Sequence, residues 1–481
     1  MSTRNLFWLT IVFIVSTLFI LSACSSATTD EQAAAEGTAP AADEGGETEA
    51  EEAAPAQEPA EESDSGPASG SYYERALAGE FTGTTVEILG PFTDEDEVKF
   101  LESIKSFEEQ SGIDIQYSGV SGFDSAISVR VDAGDIPDIA NFAQPGLLAR
   151  FVQEGHVLDV GSFLDEEYMQ GQYDQSWIDM ATMQGPDGPM LGGVWQRING
   201  KSLIWYPIEE FQAAGYEIPT TWEEMLTLSD QIVADGDTPW CIGIGSGAAT
   251  GWPATDWIEE IMLRTTSLEQ YDAWTQGELP FDSPEVRNAF DIMANIFFNE
   301  DYVYGGSNNL IGIEFGDAPV PMFEDPPQCW LHKQGNFITN FFPAGVEAGK
   351  DYGFFYLPPI DEEYGRPFLV GGDIMAMMQD RDEVRAVMEF FTRGESLKGW
   401  LEAGGALSPH LDAELDWYGD DTERGIAQIL KESTSFRYDG SDLMPGQVGT
   451  GTFWTGLVSY LTGAASLDTI LPEIDASWPQ D

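Results

Sequence analysis

Three clusters, two of them with flat aromatic rings beside hydrogen-bonding groups, lie at or past runs that read as β-strands. Phe142 and Gln144 follow the first run. Gly251-Trp252 and Asp256-Trp257 follow the second, and Gly371-Gly372-Asp373 follows Phe368-Leu369-Val370. Many of the 14 Trp residues fall in such loops or at element ends, off any periodic face. A flat ring matches the apolar C–H face of a saturated ring, while carboxylates, amides and Arg pair with hydroxyls. The combination suits noncovalent capture of a polyhydroxylated ligand. Gly251 and Pro253 hold Trp252 in a turn, where it either faces a ligand or staples the helix that follows. Trp257 shares a helix face with Ile261 and reads as core. Gly371 and Gly372 permit close backbone approach, which leaves Asp373 to accept from hydroxyls or to cap the next element. Phe142 is either a site ring or the last core residue of its strand.

Composition removes other chemistries. The chain carries 84 acids against 20 bases, a formal net charge of −64. Such a surface repels phosphate backbones and anionic membranes. Three His and three Cys are too few for a zinc site of the Cys/His type, and His156, His332 and His410 read as surface or satisfied core residues. At this acid content carboxylate pairs occur everywhere, so none stands out as a glycosidase dyad. The Ser elbow G-x-S-x-G is absent, because Gly243-Ile-Gly-Ser-Gly247 puts Ser246 one place off. Gly243-x-Gly245-x-x-Ala248 mimics a dinucleotide fingerprint, but it is a lone match, and an exported chain lacks a nicotinamide supply. No cofactor, metal or catalytic residue is expected, and the protein reads as a non-enzyme.

These residues need a scaffold. At 481 residues and 42% hydrophobic composition, the chain is sized for two or three domains of roughly 100–200 residues. Residues 85–89 (TVEIL) read as a strand. Thr93 and Asp94 can cap a helix whose Val98, Leu101, Ile104 and Phe107 recur at helical spacing, and Gly112 ends it. Ile113, Ile115 and Tyr117 then alternate as a second strand. That is a βαβ unit with parallel strands and a right-handed crossover. Strands at 138–142, 202–206 and 239–244 follow, with helices near 123–133 and over 222–235, the latter opened by a capping box Thr220-x-x-Glu223. The fold class is α/β, with sheets covered on both faces.

The ends carry processing signals. Arg4, the apolar run from Leu6 to Leu21 and the sequence Leu21-Ser22-Ala23-Cys24 make residues 1–23 a lipoprotein signal peptide with Cys24 as the acylated residue; the alternative is an uncleaved anchor. Residues 24–81 read as lipidated Cys24 and a disordered acidic linker, since 25–70 hold 13 acids and no aromatic, Lys or Arg. With Cys24 taken by lipid, Cys241 and Cys329 are expected to pair as a disulfide in an oxidising compartment.

The lipobox, acidic spacer and α/β body resemble an extracellular solute-binding protein of a sugar ABC transporter, in the maltose-binding-protein-like solute-binding family 1. Gly134-Asp-Ile-Pro-Asp138 and the stretch to Arg150 resemble that family's G-D-x-P-D strand and sugar-facing loop. Lys201-Ser-Leu-Ile-Trp-Tyr206, Phe211-x-x-Ala-Gly-Tyr216 and Pro219-Thr-Thr-Trp-Glu-Glu224 are similar to its crossover into a second lobe. Trp240-Cys241, the run from Gly251 to Trp257, and Cys329-Trp-Leu-His-Lys-Gln334 look most like the α-glucoside-binding branch.

The resemblance covers residues 82–481 and implies a periplasmic-binding-protein-like fold, two α/β lobes joined by a hinge with a ligand cleft between them. Lobe one would be 82–198 plus 366–410 and lobe two 199–365 plus 411–481, with hinges near 198–201, 364–372 and 408–414. Trp454, in Gly451-Thr-Phe-Trp454, matches the family's stacking aromatic, and Phe142 and Gln144 match its first-lobe loop. Trp195, Arg197 and Lys201 flank the first crossover. Phe323 stands where the family has an aromatic, although Pro319, Pro321, Pro326 and Pro327 depart from its usual helix start. With Trp252, Asp256, Gly372 and Asp373 these residues form the expected ligand-binding set. The implied ligand is a sugar, an α-glucoside or related oligosaccharide, delivered to a membrane permease by a lipid-anchored monomer on the outer face of the cytoplasmic membrane. A polyamine or peptide is the alternative ligand, and an exported glycoside-processing enzyme the lesser alternative.

Overall fold

The computed structural model describes residues 70–479. The signal peptide 1–23, Cys24 and most of the linker lie outside the described residues. The linker expected to reach residue 81 gives way earlier: Tyr72–Leu77 is a helix with a Ser71–Glu74 capping box. Tyr72 and Tyr73 pack on the first core, and Arg75 pairs with Glu80 and Asp382. Aromatic residues and a cation, missing from 25–70, supply the burial and charge that order it.

β1 (Thr85–Gly90) and β2 (Asp114–Gly119) run parallel from Thr85↔Asp114 to Gly90↔Gly119. The helix between them, Asp94–Ser111, ends at Gly112 in the left-handed region. Its buried face is Phe100, Ile104 and Phe107, while Val98 and Leu101 stay exposed. β3 (Ile139–Phe142) joins the other edge of β1. A hairpin, β4 (Thr182–Gly185) with β5 (Gly188–Leu191), precedes β6 (Val194–Gly200). After Lys201 and Ser202 the chain enters β7 (Leu203–Pro207), the centre of a second, antiparallel sheet with β8 (His332–Lys333) and β9 (Tyr352–Tyr356). The long β10 (Pro367–Met377) returns to the first sheet, antiparallel to β6 and β3 and parallel to β11 (Ser435–Tyr438).

The result is the expected α/β architecture of two lobes. β7 shows how the cores divide, because alternate side chains face opposite sides of a strand. Leu203 and Trp205 belong to the first core and Ile204 to the second. The sequence groups residues 411–481 with the second lobe. However, β11 pairs with the first sheet, and Ile426 and Ala427 of the helix Asp421–Glu432 pack in the first core. Met444 and Val448 belong to the second core.

Two local expectations need correction. The capping box of the helix Trp222–Asp235 is Thr221 with Glu224, one residue later than Thr220 and Glu223; the helix starts where Trp222 can be buried. Residues 239–244 are not a ladder strand. The segment is extended but held by single bridges, such as Trp240↔Leu331, because its neighbours are turns and loops. Cys241 and Cys329 form the expected disulfide, with Cα atoms 5.4 Å apart.

Candidate functional site

β10 changes partners halfway. Along one edge, Pro367–Val370 pair with β11 and Ile374–Met377 pair with β3, which leaves Gly371, Gly372 and Asp373 between two partners. Ligands of open α/β sheets collect at such switch points, beyond the carboxyl ends of strands. A cavity of about 630 Å³ opens there. Gly372 and Asp373 line it, with Phe92 to Asp96 after β1, Gln144 after β3, and Asp439 and Asp442 after β11. Trp252, Phe315, Phe337, Asn340, Phe341 and Trp454 complete the lining.

Two glycines make the enclosure possible. A Cβ on Gly372 would lie 2.6 Å from the Arg197 carbonyl oxygen, so only glycine lets β6 and β10 approach there. Gly251, at φ 124°, would meet the Trp454 carbonyl at 2.8 Å. Its bare Cα lets the turn carrying Trp252 lie against the helix Trp454–Leu461, bringing both indoles to one cavity. A π-helical turn, Gln447–Phe453, leads into Trp454, a distortion common at functional sites. Asp94, at φ 54°, is the non-glycine residue with positive φ among the described residues, and it lines the cavity mouth. Backbone strain of this kind concentrates at functional sites.

Two buried cations organise the floor. Arg197 donates from Nε to Asp373 Oδ2 (2.9 Å) and from Nη1 to Asp96 Oδ2 (3.1 Å). Its guanidinium lies between the rings of Phe92 and Trp400, 4.5 and 4.3 Å from their centroids. Burial opposes its charge, but the two carboxylates outweigh that and raise its pKa. Lys201, at the β6–β7 junction, donates to Asp256 Oδ1 (3.0 Å) and to Asp439. Burial again works against the ammonium, and the surrounding carboxylates hold it well above its usual pKa. Burial pushes Asp256 and Glu259 up, while Lys201 overcomes burial at Asp439 and lowers it. Asp256, Glu259 and Asp439 cluster closely enough to hold a metal ion, but Lys201 already supplies the cation there.

Hydrogen-bonding capacity is left over. Gln144 Oε1 and Asn199 Oδ1 are buried at the cavity wall without a partner. Asn340 donates to Asp96 Oδ1 (2.7 Å) and accepts from Lys99. The turn Asn336–Phe341 is thereby fastened to the helix that follows β1.

The structure brings Gln144, Arg197, Trp252, Gly372, Asp373 and Trp454 to this one cavity. Four expected residues lie elsewhere. Phe142 is core, edge-on to Phe123 at 5.2 Å, because it is the last residue of β3 and pairs with Ile374. Trp195 is also core. The register of β6 slips between Arg197 and Trp195 opposite Asp373 and Ile374, and such a bulge reverses facing. Trp195 therefore packs on Trp177 and Tyr438, and its Nε1 donates to the Trp177 carbonyl. Asp256 is buried behind Lys201, outside the wall. Phe323 sits on a prolyl 3₁₀ turn, Val320–Phe323, and packs on Phe342 at 4.8 Å.

Sequence reasoning missed several wall residues. The strand-end criterion, applied to β1 and β11, would have found Phe92 to Asp96, Asp439 and Asp442. Phe315, Phe337 and Phe341 carry no such signal, since they lie in turns.

A two-lobed α/β body with an aromatic and polar cavity at a strand switch point is matched by a known family. The model for bacterial extracellular solute-binding proteins covers residues 91–393. The chain belongs to that family. It is 45% identical over 395 residues to the osmoprotective compounds-binding protein GgtB of Synechocystis, covering 82% of this chain and 92% of that one. It is 39% identical over 403 residues to the alpha-glucosides-binding periplasmic protein AglE of Rhizobium meliloti, covering 82% and 87%. Among solved structures, a chitin oligosaccharide-binding protein superposes with a TM-score of 0.69 at 16% identity, covering 82% of this chain and 98% of that one. Maltose-bound MalE3 of T. maritima gives 0.63 at 14%, with 82% and 98% covered. These structures share the fold. Membership makes this protein a bacterial extracellular solute-binding protein. No helix among the described residues is long and apolar enough to cross a membrane.

Proposed function

We propose that this protein captures a small α-glucoside in the cavity beside β10 and delivers it to an ABC permease by closing its lobes. The observation that carries the reading is the cavity's composition. Six aromatic rings, Phe92, Trp252, Phe315, Phe337, Phe341 and Trp454, face buried amide oxygens that lack hydrogen-bond donors. Rings stack on the C–H faces of a pyranose, and hydroxyls donate to the amides. The volume, about 630 Å³, falls in the range of roughly 300–1,000 Å³ typical of small-ligand sites. The named ligands of the two relatives, alpha-glucosides and osmoprotective compounds, support a small glucoside over a long polymer.

The ligand-contacting set we assign is Gln144, Trp252, Gly372, Asp373 and Trp454, with Arg197 positioning Asp373. Closure is a hinge motion about the β6–β7 junction and the entry to β10, driven by tighter binding to the closed form. Cys24 carries the lipid, residues 25–70 form the tether, and the protein works as a monomer that binds and performs no chemistry. The lipobox at Leu21-Ser22-Ala23-Cys24 and the aromatic-free, acid-rich spacer support the anchor.

Thermal-shift and calorimetric titration of the purified protein with maltose, trehalose, sucrose, methyl α-glucoside, spermidine and a dipeptide tests the reading. A glucoside should raise the melting temperature and bind, and spermidine and the dipeptide should not. Binding of spermidine with no glucoside bound overturns it.

A further inference from the structure

The charges around the cavity define the ligand further than its shape does. Six carboxylates line the wall, those of Asp94, Glu95, Asp96, Asp373, Asp439 and Asp442, against two cations, Arg197 and Lys201. Neither cation is free. Arg197 is bonded to Asp96 and Asp373, and Lys201 to Asp256 and Asp439. Asp94, Glu95 and Asp442 enter no ion pair among the described residues. The layer beneath adds Asp256 and Glu259, whose Oδ2 and Oε2 are buried without hydrogen-bond partners, and one further cation, Lys333, whose Nζ lies 3.9 Å from Asp256 Oδ2. The buried amide oxygens of Gln144 and Asn199 also await donors. The wall therefore offers acceptors and negative charge, and it needs a ligand that donates.

Resting on the glucoside reading, we propose that the cavity selects uncharged, hydroxyl-donating glucosides and rejects their carboxylated counterparts. A ligand carboxylate would compete with two protein carboxylates for each cation. It would approach the Asp439 carboxylate in a partly dry site where like charges repel strongly. It would also bring one hydrogen-bond donor fewer to a wall whose Gln144 Oε1 and Asn199 Oδ1 await donors. Burial and the nearby Asp439 carboxylate push the Asp442 carboxyl well above its usual range, so Asp439 rather than Asp442 carries the negative charge at this end of the wall. Phosphorylated glucosides fall under the same exclusion.

The test uses matched pairs that differ in one CH₂OH against one carboxylate: methyl α-glucoside with methyl α-glucuronide, maltitol with maltobionate, and trehalose with its mono-uronate. Binding to the full-length protein is measured by calorimetry at neutral pH and 0.15 M salt. In each pair whose neutral member binds, the anion should bind at least a hundredfold more weakly, or ~2.8 kcal/mol. The variant carrying Asp94→Asn and Glu95→Gln at the mouth should narrow that ratio at least threefold. An anion that binds within threefold of a bound neutral partner overturns the charge selection and leaves the glucoside reading standing. A ratio unmoved by the double substitution removes the mouth carboxylates from the selection. If no neutral member binds, the glucoside reading fails and the selection fails with it.

Discussion

Removing the Trp252 indole is the sharpest single perturbation of the aromatic wall. Trp252 is half-buried, edge-on to Phe315 at 5.0 Å and tilted to Phe337 at 5.9 Å, with Lys201 Nζ 5.4 Å from its centroid. Its neighbours therefore hold the ring without covering all of it. A Trp side chain can bury up to about 250 Å². If a pyranose covers about a third of that, roughly 80 Å² at about 25 cal/mol/Å² gives about 2 kcal/mol. Trp252→Ala should therefore weaken binding of the preferred glucoside by roughly thirtyfold, and Trp252→Phe should recover part of the loss. Calorimetry is the assay of choice, because fluorescence would lose its own reporter. A thermal melt controls for folding, since the neighbouring rings stay packed on one another. A Kd within twofold of the parent, with an unchanged melt, would show that Trp252 does not touch the ligand and would remove the main support for stacking in this cavity.

Other perturbations probe the frame around the site. Burial pushes Glu423 up to about 8 against the Gly405 N–H that it accepts. The folded state then keeps a proton that the unfolded chain loses near pH 4.5, so this group costs stability as pH rises from 4.5 to 8; the denaturant-derived advantage of Glu423→Gln should grow by about 4 kcal/mol between pH 5 and 9, and parallel pH profiles would refute the burial argument. Cys241 and Cys329 close a loop with a sequence separation of 88, so a double Cys→Ser variant should lose about 4–5 kcal/mol in urea titrations; a loss under about 1 kcal/mol would show that the reduced chain is already constrained. Gly372→Ala forces a Cβ to within 2.6 Å of the Arg197 carbonyl and should cost about 1–3 kcal/mol while displacing Asp373 and weakening binding; an unchanged melt would mean that β6 and β10 separate easily.

The parts of the site legible in the sequence are those fixed by chain direction. Gln144 and Asp373 fall at strand ends or switch points because a parallel strand delivers its carboxyl end to one side of a sheet, and hydrophobic runs mark those ends. Trp252 was legible through Gly251 and Pro253, which take it off any helix stripe. Facing was harder. Phe142 and Gln144 are two residues apart, yet one closes the core and the other leaves the sheet. Trp195 and Arg197 are also two apart, and only the bulge opposite Asp373 sends them to opposite faces; no residue in Trp195-Gln196-Arg197 announces it. Phe337 and Phe341 reach the cavity from a 3₁₀ turn whose placement depends on Asn340 bonding to Asp96, a contact across 244 residues of sequence.

Lys201 explains why a chain this acidic can build a cavity floor at all. Its backbone lies between the two sheets, and its N–H donates to the Leu369 carbonyl (2.8 Å), just before β10 changes partners. Its ammonium meets Asp256 from the second-lobe helix Trp252–Thr265 and Asp439 from the end of β11. The residue therefore ties carboxylates from both sides at the point where the chain crosses. Arg197, in β6, pairs Asp373 of β10 with Asp96 of the helix after β1, both on the side of the first sheet. Removing Arg197 would strip the buried Asp373 of its cation, and removing Lys201 would do the same to Asp439, which costs more than the ion pair itself contributes. Trp252 starts the helix that carries Asp256, so this ring and the floor move together in the closure proposed above. The electrostatic part of recognition is thus assembled before the ligand arrives, and the gain on closing comes from burying its C–H faces against Trp252 and Trp454.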